Sequence, residues 1–137
     1  MIASVIRRFY SVVPPGVPGA LVVAIILYLT LAPQPLGDDT PELFEGADKV
    51  VHAIMFGAMA FTLSLDRLMG RGSVSRKAMI VITVLAIATG IVIECLQGAM
   101  DAGRSADVAD GIADTIGALA GAWIFTRVRK ILGKRRQ

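Results

Sequence analysis

The sequence predicts an all-α fold, a multi-pass transmembrane bundle of four helices. Of the 137 residues, 55% are hydrophobic and only 18% are charged, whereas a soluble domain carries about 25% charged residues. Four apolar runs approach the roughly 20 residues that a helix needs to cross the hydrocarbon core of a bilayer. Lipid leaves the backbone groups of open strands unpaired, which favours helices. The composition therefore excludes a soluble globular protein and a disordered chain, and the single cysteine excludes a disulfide scaffold.

The four predicted spans belong to one domain, residues 1–137, and lie at about 17–32, 50–65, 78–96 and 106–128. Prolines before and after the first run mark its ends. We interpret this run as a retained span, because Pro33 would occupy the cleavage point of a signal peptide. After it, Thr40 can cap a helix whose first position is Pro41. This pattern predicts a short interfacial helical turn near 41–46.

The charges predict the orientation of the bundle. Of the 14 basic residues, 12 lie before the first span, between the second and third, or after the fourth. Because Lys and Arg favour the cytoplasmic side, we expect both termini in the cytoplasm. The basic residues then serve as orientation signals and lipid head-group partners, which excludes a nucleic-acid partner. Ten of the 11 acidic residues belong to the opposite side or to the adjoining halves of the spans.

The fourth span carries acidic residues and glycines on one face. Asp107, Asp110 and Asp114 fall within a sector of about 60°, and Gly117 and Gly121 continue the same stripe. A Gly-x-x-x-Gly pair allows close approach of another helix, so this face is expected to point into the bundle. Asp114 would lie ~10 Å deeper than Asp107. A carboxylate at that depth needs a cation, a proton or another partner.

The second and third spans offer matching polar faces. On span three the stripe comprises Thr83, Gly90, Glu94 and Gln97. Span two opens with Asp48, Lys49 and His52, where the carboxylate four residues before the histidine is expected to fix its tautomer and favour its charged form. Arg104 is a further cation near this end. Together these residues predict a polar pocket that opens on the non-cytoplasmic side.

Structural interpretations compete with the functional one. Asp107 and Asp48 suit the N-terminal caps of their helices, and the exposed ion pairs of Lys49 and Arg104 would contribute little stability. Cys95 is interpreted as a packing residue.

At these positions the sequence resembles the VanZ-like family of small bacterial integral membrane proteins. The resemblance covers about residues 40–125. It is carried by Asp48-Lys49-x-x-His52-x-x-x-Phe56, by Glu94-x-x-Gln97, and by Arg104-x-x-Asp107-x-x-Asp110 leading to Gly117-x-x-x-Gly121. The sequence departs from the family at Asp114, where asparagine is frequent. The resemblance implies the cytoplasmic (inner) membrane of a bacterium and a link to resistance against the glycopeptide teicoplanin, without a settled reaction.

We expect the pocket to bind, and as an open alternative to modify, an anionic lipid or cell-envelope precursor. Its head group would contact a ligand-binding set, namely Asp48, Lys49, Gln97, Arg104 and Asp107. A chemical set would supply acid–base groups or hold a divalent cation, namely His52, Glu94, Asp110 and Asp114. No particular cofactor follows from the sequence.

Two other functions remain alternatives. The first is a metal-dependent phosphatidyl-transferring enzyme, because Asp107-x-x-Asp110-Gly111 resembles the opening of the CDP-alcohol phosphotransferase motif. Asp114 stands where that motif has arginine, and its later residues are missing. The second is a non-catalytic partner or transporter subunit that forms a homo-oligomer through Gly117 and Gly121.

Overall fold

The computed structural model describes residues 1–33, 35–36, 44–100 and 105–133 of the chain. Within these ranges it contains five α-helices and no strands. In chain order the helices are α1 (Ile2–Tyr10), α2 (Val17–Leu31), α3 (Ala47–Arg71), α4 (Arg76–Ala99) and α5 (Val108–Gly133). The predicted all-α fold is confirmed.

Three helices, α3, α4 and α5, are long and apolar enough to cross a membrane, whereas α2 is a shorter apolar helix of 15 residues. Each long helix includes nearly all of a predicted span and extends beyond one or both of its ends into charged sequence, because a helix does not have to stop where the hydrocarbon core does. Of the predicted interfacial turn, residues 41–43 lie outside the described residues. Phe44, Glu45 and Gly46 form a bend and turn that lead into α3.

The α3 and α5 backbones touch, and this close packing forms the centre of the bundle. A Cβ atom on Gly117 would overlap the carbonyl group of Ala53, and one on Gly121 would overlap that of Gly57. The expectation that this glycine stripe points into the bundle is confirmed. The surface considered for a homo-oligomer is therefore taken by α3 of the same chain.

Helix α2 runs antiparallel to α3 over most of its length. Near the start of α2, the Gly19 N–H donates to Asp66 Oδ2 at 2.8 Å. Near its end, the Thr30 carbonyl accepts a hydrogen bond from Gln97 Nε2 at 2.8 Å. Because Asp66 and Gln97 lie at opposite ends of the bundle, α2 covers most of the depth of the longer helices despite its length of about 22 Å.

Helix α1 was not predicted from the sequence. One side of it packs on a cluster at the basic end of the bundle, formed by Leu65, Met79, Phe125 and Leu132, through Ala3, Ile6 and Tyr10. The neighbouring apolar side is exposed and comprises Ile2, Val5, Phe9 and, just beyond the helix, Val12. Arg7 points away from this side and donates to the Leu132 carbonyl at 3.0 Å. An apolar face bordered by arginines is typical of a helix at a membrane interface.

Asp66 joins three helices at the basic end. It is 6% exposed, accepts from the Tyr10 hydroxyl at 2.6 Å through Oδ1 and from the Gly19 N–H through Oδ2. Burial and the Asp66 carboxylate raise the pKa of Tyr10 above its usual range, so the phenol stays protonated and remains a donor at neutral pH. We name this arrangement the Asp66 clamp.

We expect Asp66→Ala to loosen α1 and the start of α2 while α3, α4 and α5 remain folded. The change leaves two donors without their acceptor, which costs about 1–3 kcal/mol. Hydrogen exchange of the protein in detergent should show faster exchange over residues 2–20 alone. Tyr10→Phe, which removes one of the two bonds, should give a smaller increase confined to α1. Unchanged exchange in both variants would contradict the clamp.

We expect Gly117→Leu to lower the thermal stability of the bundle, because its side chain meets backbone that cannot yield. Overpacking in an interior costs about 1–3 kcal/mol, and more where nothing can move. The matched control is Gly111→Ala on the same helix, whose new Cβ would lie 3.8 Å from Glu94 Cγ in ordinary contact. Thermal unfolding in detergent should separate the two variants. Equal midpoints would contradict the close packing.

Candidate functional site

The predicted polar residues collect where α3 and α5 begin and α4 ends, the acidic end of the bundle. Their exposure decreases with depth. The Asp48 side chain is 52% exposed and that of Lys49 31%, whereas that of Asp110 is 15% exposed. Asp114 is 1% exposed as a residue. The site therefore runs from a partly exposed rim to a buried interior.

Three buried ionisable side chains from three helices form the interior of the site. We call His52, Glu94 and Asp114 the buried acidic centre; each is at most 9% exposed. His52 Nδ1 lies 2.9 Å from Asp114 Oδ1. One ligand-type atom from each of the three lies within 4.8 Å of the other two. Side chains from three separate helices thus converge, as the sequence predicted.

Lys49 holds the rim together. Its Nζ lies 2.8 Å from Asp48 Oδ2 and 2.7 Å from Asp110 Oδ1, and it also pairs with Asp107 Oδ2. The hydrogen bond from Lys49 is the largest cause that holds the pKa of Asp107 below its usual value. One ammonium group therefore partners three carboxylates, drawn from α3, from α5 and from the residue before α5.

The expected pairing of Asp48 with His52 is absent from the ion pairs of the described residues, and that prediction is corrected. Asp48 turns outward to Lys49. His52 faces α5, with Nδ1 on Asp114 and Nε2 3.8 Å from Asp110 Oδ2. The spacing of four residues places Asp48 and His52 on one side of α3, but the close approach of α5 supplies deeper carboxylates to the imidazole.

Asp107 serves both as a cap and as part of the site. Its Oδ1 accepts from the Ala109 N–H at 2.8 Å, which confirms the capping interpretation for this residue. Its own N–H donates to Glu94 Oε2 at 2.8 Å. The start of α5 therefore orients the Glu94 carboxylate.

Of the predicted ligand-binding set, Asp48, Lys49 and Asp107 lie at the rim, whereas Gln97 pairs elsewhere. Gln97 is 6% exposed and donates to the Thr30 carbonyl of α2, so this bond links α4 to α2. Arg104 lies outside the described residues.

Glycines make room for the buried carboxylates. A Cβ on Gly90 would lie 2.7 Å from Asp114 Oδ2, so only glycine at this position lets α4 approach that side chain. Gly111 faces Glu94 in the same way at a looser 3.8 Å. Gly90 belonged to the predicted stripe, but its role as space for Asp114 depends on the pairing of α4 with α5, which no spacing in the sequence reveals.

An apolar groove of about 420 Å³ lies between α4 and α5, with Glu94 in its lining. Besides Glu94 its lining includes Ile91, Cys95, Gly111, Ile112 and Thr115. Cys95, interpreted from the sequence as a packing residue, is exposed here, and that interpretation is corrected. The reason is that Cys95 lines this open groove. The sequence signal for this groove is a small residue on each helix beside the acidic stripe. Such a pattern is too common to be specific.

Two carboxylate oxygens of the buried acidic centre have no hydrogen-bond partner. They are Glu94 Oε1 and Asp114 Oδ2. Buried polar atoms are normally paired, and unpaired carboxylate oxygens are able to bind a metal ion, a proton or a donor group of a ligand. The free bonding capacity of the site is thus concentrated in its deepest part.

No curated protein and no solved structure matches the chain. The family model described as VanZ/LLP1 matches residues 17–130. The matched range contains α2 to the last turn of α5 and every described residue of the candidate site. The chain is therefore a member of the VanZ/LLP1 family.

Proposed function

We propose that the protein binds, at its acidic end, a membrane lipid with an anionic head group, an envelope precursor carried on lipid being one such ligand. The observation that carries the proposal is the contact between the apolar α4–α5 groove and the polar site at Glu94. An apolar groove that is open on one side and lined in part by Glu94 suits a molecule with an apolar chain and a polar head. Lys49, 31% exposed at the rim, is the cation of the described site that an anionic head group would contact, in competition with its carboxylate partners.

The proposal includes the orientation of the bundle. Four spans with both termini in the cytoplasm place the acidic end at the outer leaflet, in the inner membrane of a bacterium. The distribution of lysine and arginine supports this orientation. The course of α2 along α3, from the Asp66 clamp to Gln97, supports its assignment as the first span.

The reactive groups of this proposal are His52, Glu94, Asp110 and Asp114. They are the buried acidic centre together with Asp110, and ionisable groups at membrane depth usually mark function. Asp110 connects the two layers, because it faces His52 at 3.8 Å and pairs with Lys49 at 2.7 Å. A link to glycopeptide resistance belongs to this proposal through the family alone.

We expect Lys49→Gln to weaken binding of anionic lipids about tenfold, because a hydrogen bond to a charged group contributes about 1.5 kcal/mol or more. Native mass spectrometry of the detergent-solubilised protein should compare phosphatidylglycerol, a polyprenyl phosphate and zwitterionic phosphatidylcholine. Preference for the diacyl or the prenyl anion identifies the source of the ligand. The matched control is Lys77→Gln at the opposite end of α4.

Equal retention of phosphatidylcholine and both anionic lipids by the unmodified protein would overturn the proposed head-group selectivity. If Lys49→Gln and Lys77→Gln lose anionic-lipid binding equally, the overall charge of the protein, and not the site, attracts the lipid.

We expect cysteine labelling in intact cells to place the acidic end outside. In a Cys95→Ala background, Ser105→Cys beside α5 should react with a membrane-impermeant maleimide. Ser75→Cys, the N-cap of α4 at the basic end, should react only after permeabilisation. The reverse pattern would place the site in the cytoplasm and favour the phosphatidyl-transferring alternative, whose nucleotide substrates are cytoplasmic.

A further inference from the structure

The described part of the acidic end has too much negative charge for an anionic ligand unless another cation is present. Among the described residues the candidate site at this end contains five carboxylates, on Asp48, Glu94, Asp107, Asp110 and Asp114. Lys49 partners three of them at the rim. Glu94 and Asp114 are left with His52, and each keeps one buried oxygen without a partner. Charged groups in such surroundings need compensation by a proton or a cation.

We propose that His52, Glu94 and Asp114 bind a divalent transition-metal ion. The three side chains come from α3, α4 and α5, are at most 9% exposed, and bring ligand-type atoms within 4.8 Å of one another. Glu94 Oε1 and Asp114 Oδ2 are the unpartnered oxygens of this group. Their residues are respectively 91% and 99% buried, so water is poorly placed to satisfy them.

The surroundings of each ligand fit a metal centre. The 2.9 Å between His52 Nδ1 and Asp114 Oδ1 is a separation that two neighbouring ligands of one ion adopt, with the ion in place of the shared proton. The other imidazole nitrogen, Nε2, then carries the proton and faces Asp110 at 3.8 Å. A carboxylate beside the free nitrogen of a ligating histidine is a recurring feature of metal sites. The Asp107 N–H orients Glu94.

The donor set selects the kind of ion. An imidazole with two carboxylates suits Zn²⁺ or Mn²⁺, whereas Mg²⁺ and Ca²⁺ prefer oxygen ligands alone. Three protein ligands leave at least one coordination position for an outside oxygen. Resting on the proposed function, we assign that position to an oxygen of the anionic head group, which Lys49 contacts from the rim.

The test is the metal content and affinity of the purified, detergent-solubilised full chain, after removal of metal and dialysis against Zn²⁺, Mn²⁺, Mg²⁺ or Ca²⁺. We expect one equivalent of Zn²⁺ or Mn²⁺ per chain and none of the other two. Glu94→Gln and Asp114→Asn should weaken binding at least about 100-fold, and Asp110→Asn about 10–100-fold. Glu45→Gln, a matched change at an exposed residue near the same end, should bind as the unmodified protein does.

X-ray absorption of the zinc-loaded, unmodified chain is a second measurement, and it does not depend on whether the variants fold. It should show one imidazole and otherwise oxygen ligands. Absence of binding, or a shell of oxygen alone, would overturn the metal site. Loss of metal in Asp48→Asn with retention in Asp114→Asn would move the ion to the rim and also overturn it. Metal binding without selective lipid binding would leave this site intact and reject the proposed function.

Discussion

The backbone contact between α3 and α5 determines the geometry of everything at the acidic end. Gly117 and Gly121 bring the two helices together at Ala53 and Gly57, within about two turns of His52 and Asp114. Only at this separation does an imidazole on one helix reach a carboxylate on the other within 2.9 Å. Small residues in the middle of the bundle therefore position the ionisable residues at its end, although they take no part in any chemistry there.

The site has two layers, the rim and the buried acidic centre, and the repulsion between neighbouring carboxylates is offset differently in each. At the rim, where side chains are partly exposed, one lysine is sufficient for three carboxylates, because water screens what the ammonium does not neutralise. In the buried acidic centre such screening is absent, and the free oxygens of Glu94 and Asp114 have only His52 beside them. The contrast explains why a lipid-binding rim and a metal-binding interior are compatible proposals for one site.

The sequence predicted four of the five described helices and which faces turn inward, but not which side chains meet. Apolar runs and the angular positions of Asp110, Asp114 and Glu94 follow from helical periodicity, which every residue of a helix obeys. The partner of His52 was predicted wrongly, since periodicity favours Asp48 on the same helix and says nothing of how closely α5 approaches. Helix α1 was missed because its nine residues are too few and too mixed to stand out as a span. The role of Asp66 depends on that helix and was missed with it.

The exposed apolar side of α1 has a consequence for the whole molecule in a bilayer. In a bilayer Ile2, Val5 and Phe9 would gain from contact with acyl chains near the surface, with Arg8 at the level of the phosphates. Such contacts would hold α1 at a defined depth. The Asp66 clamp ties α1 to α2 and α3, so the depth of the whole bundle would be set at that leaflet. His52 and Asp66 are about 21 Å apart along α3. In a thinner or thicker membrane the distance from His52 to the surface opposite α1 would therefore change. Membrane thickness would then affect how readily polar molecules reach His52.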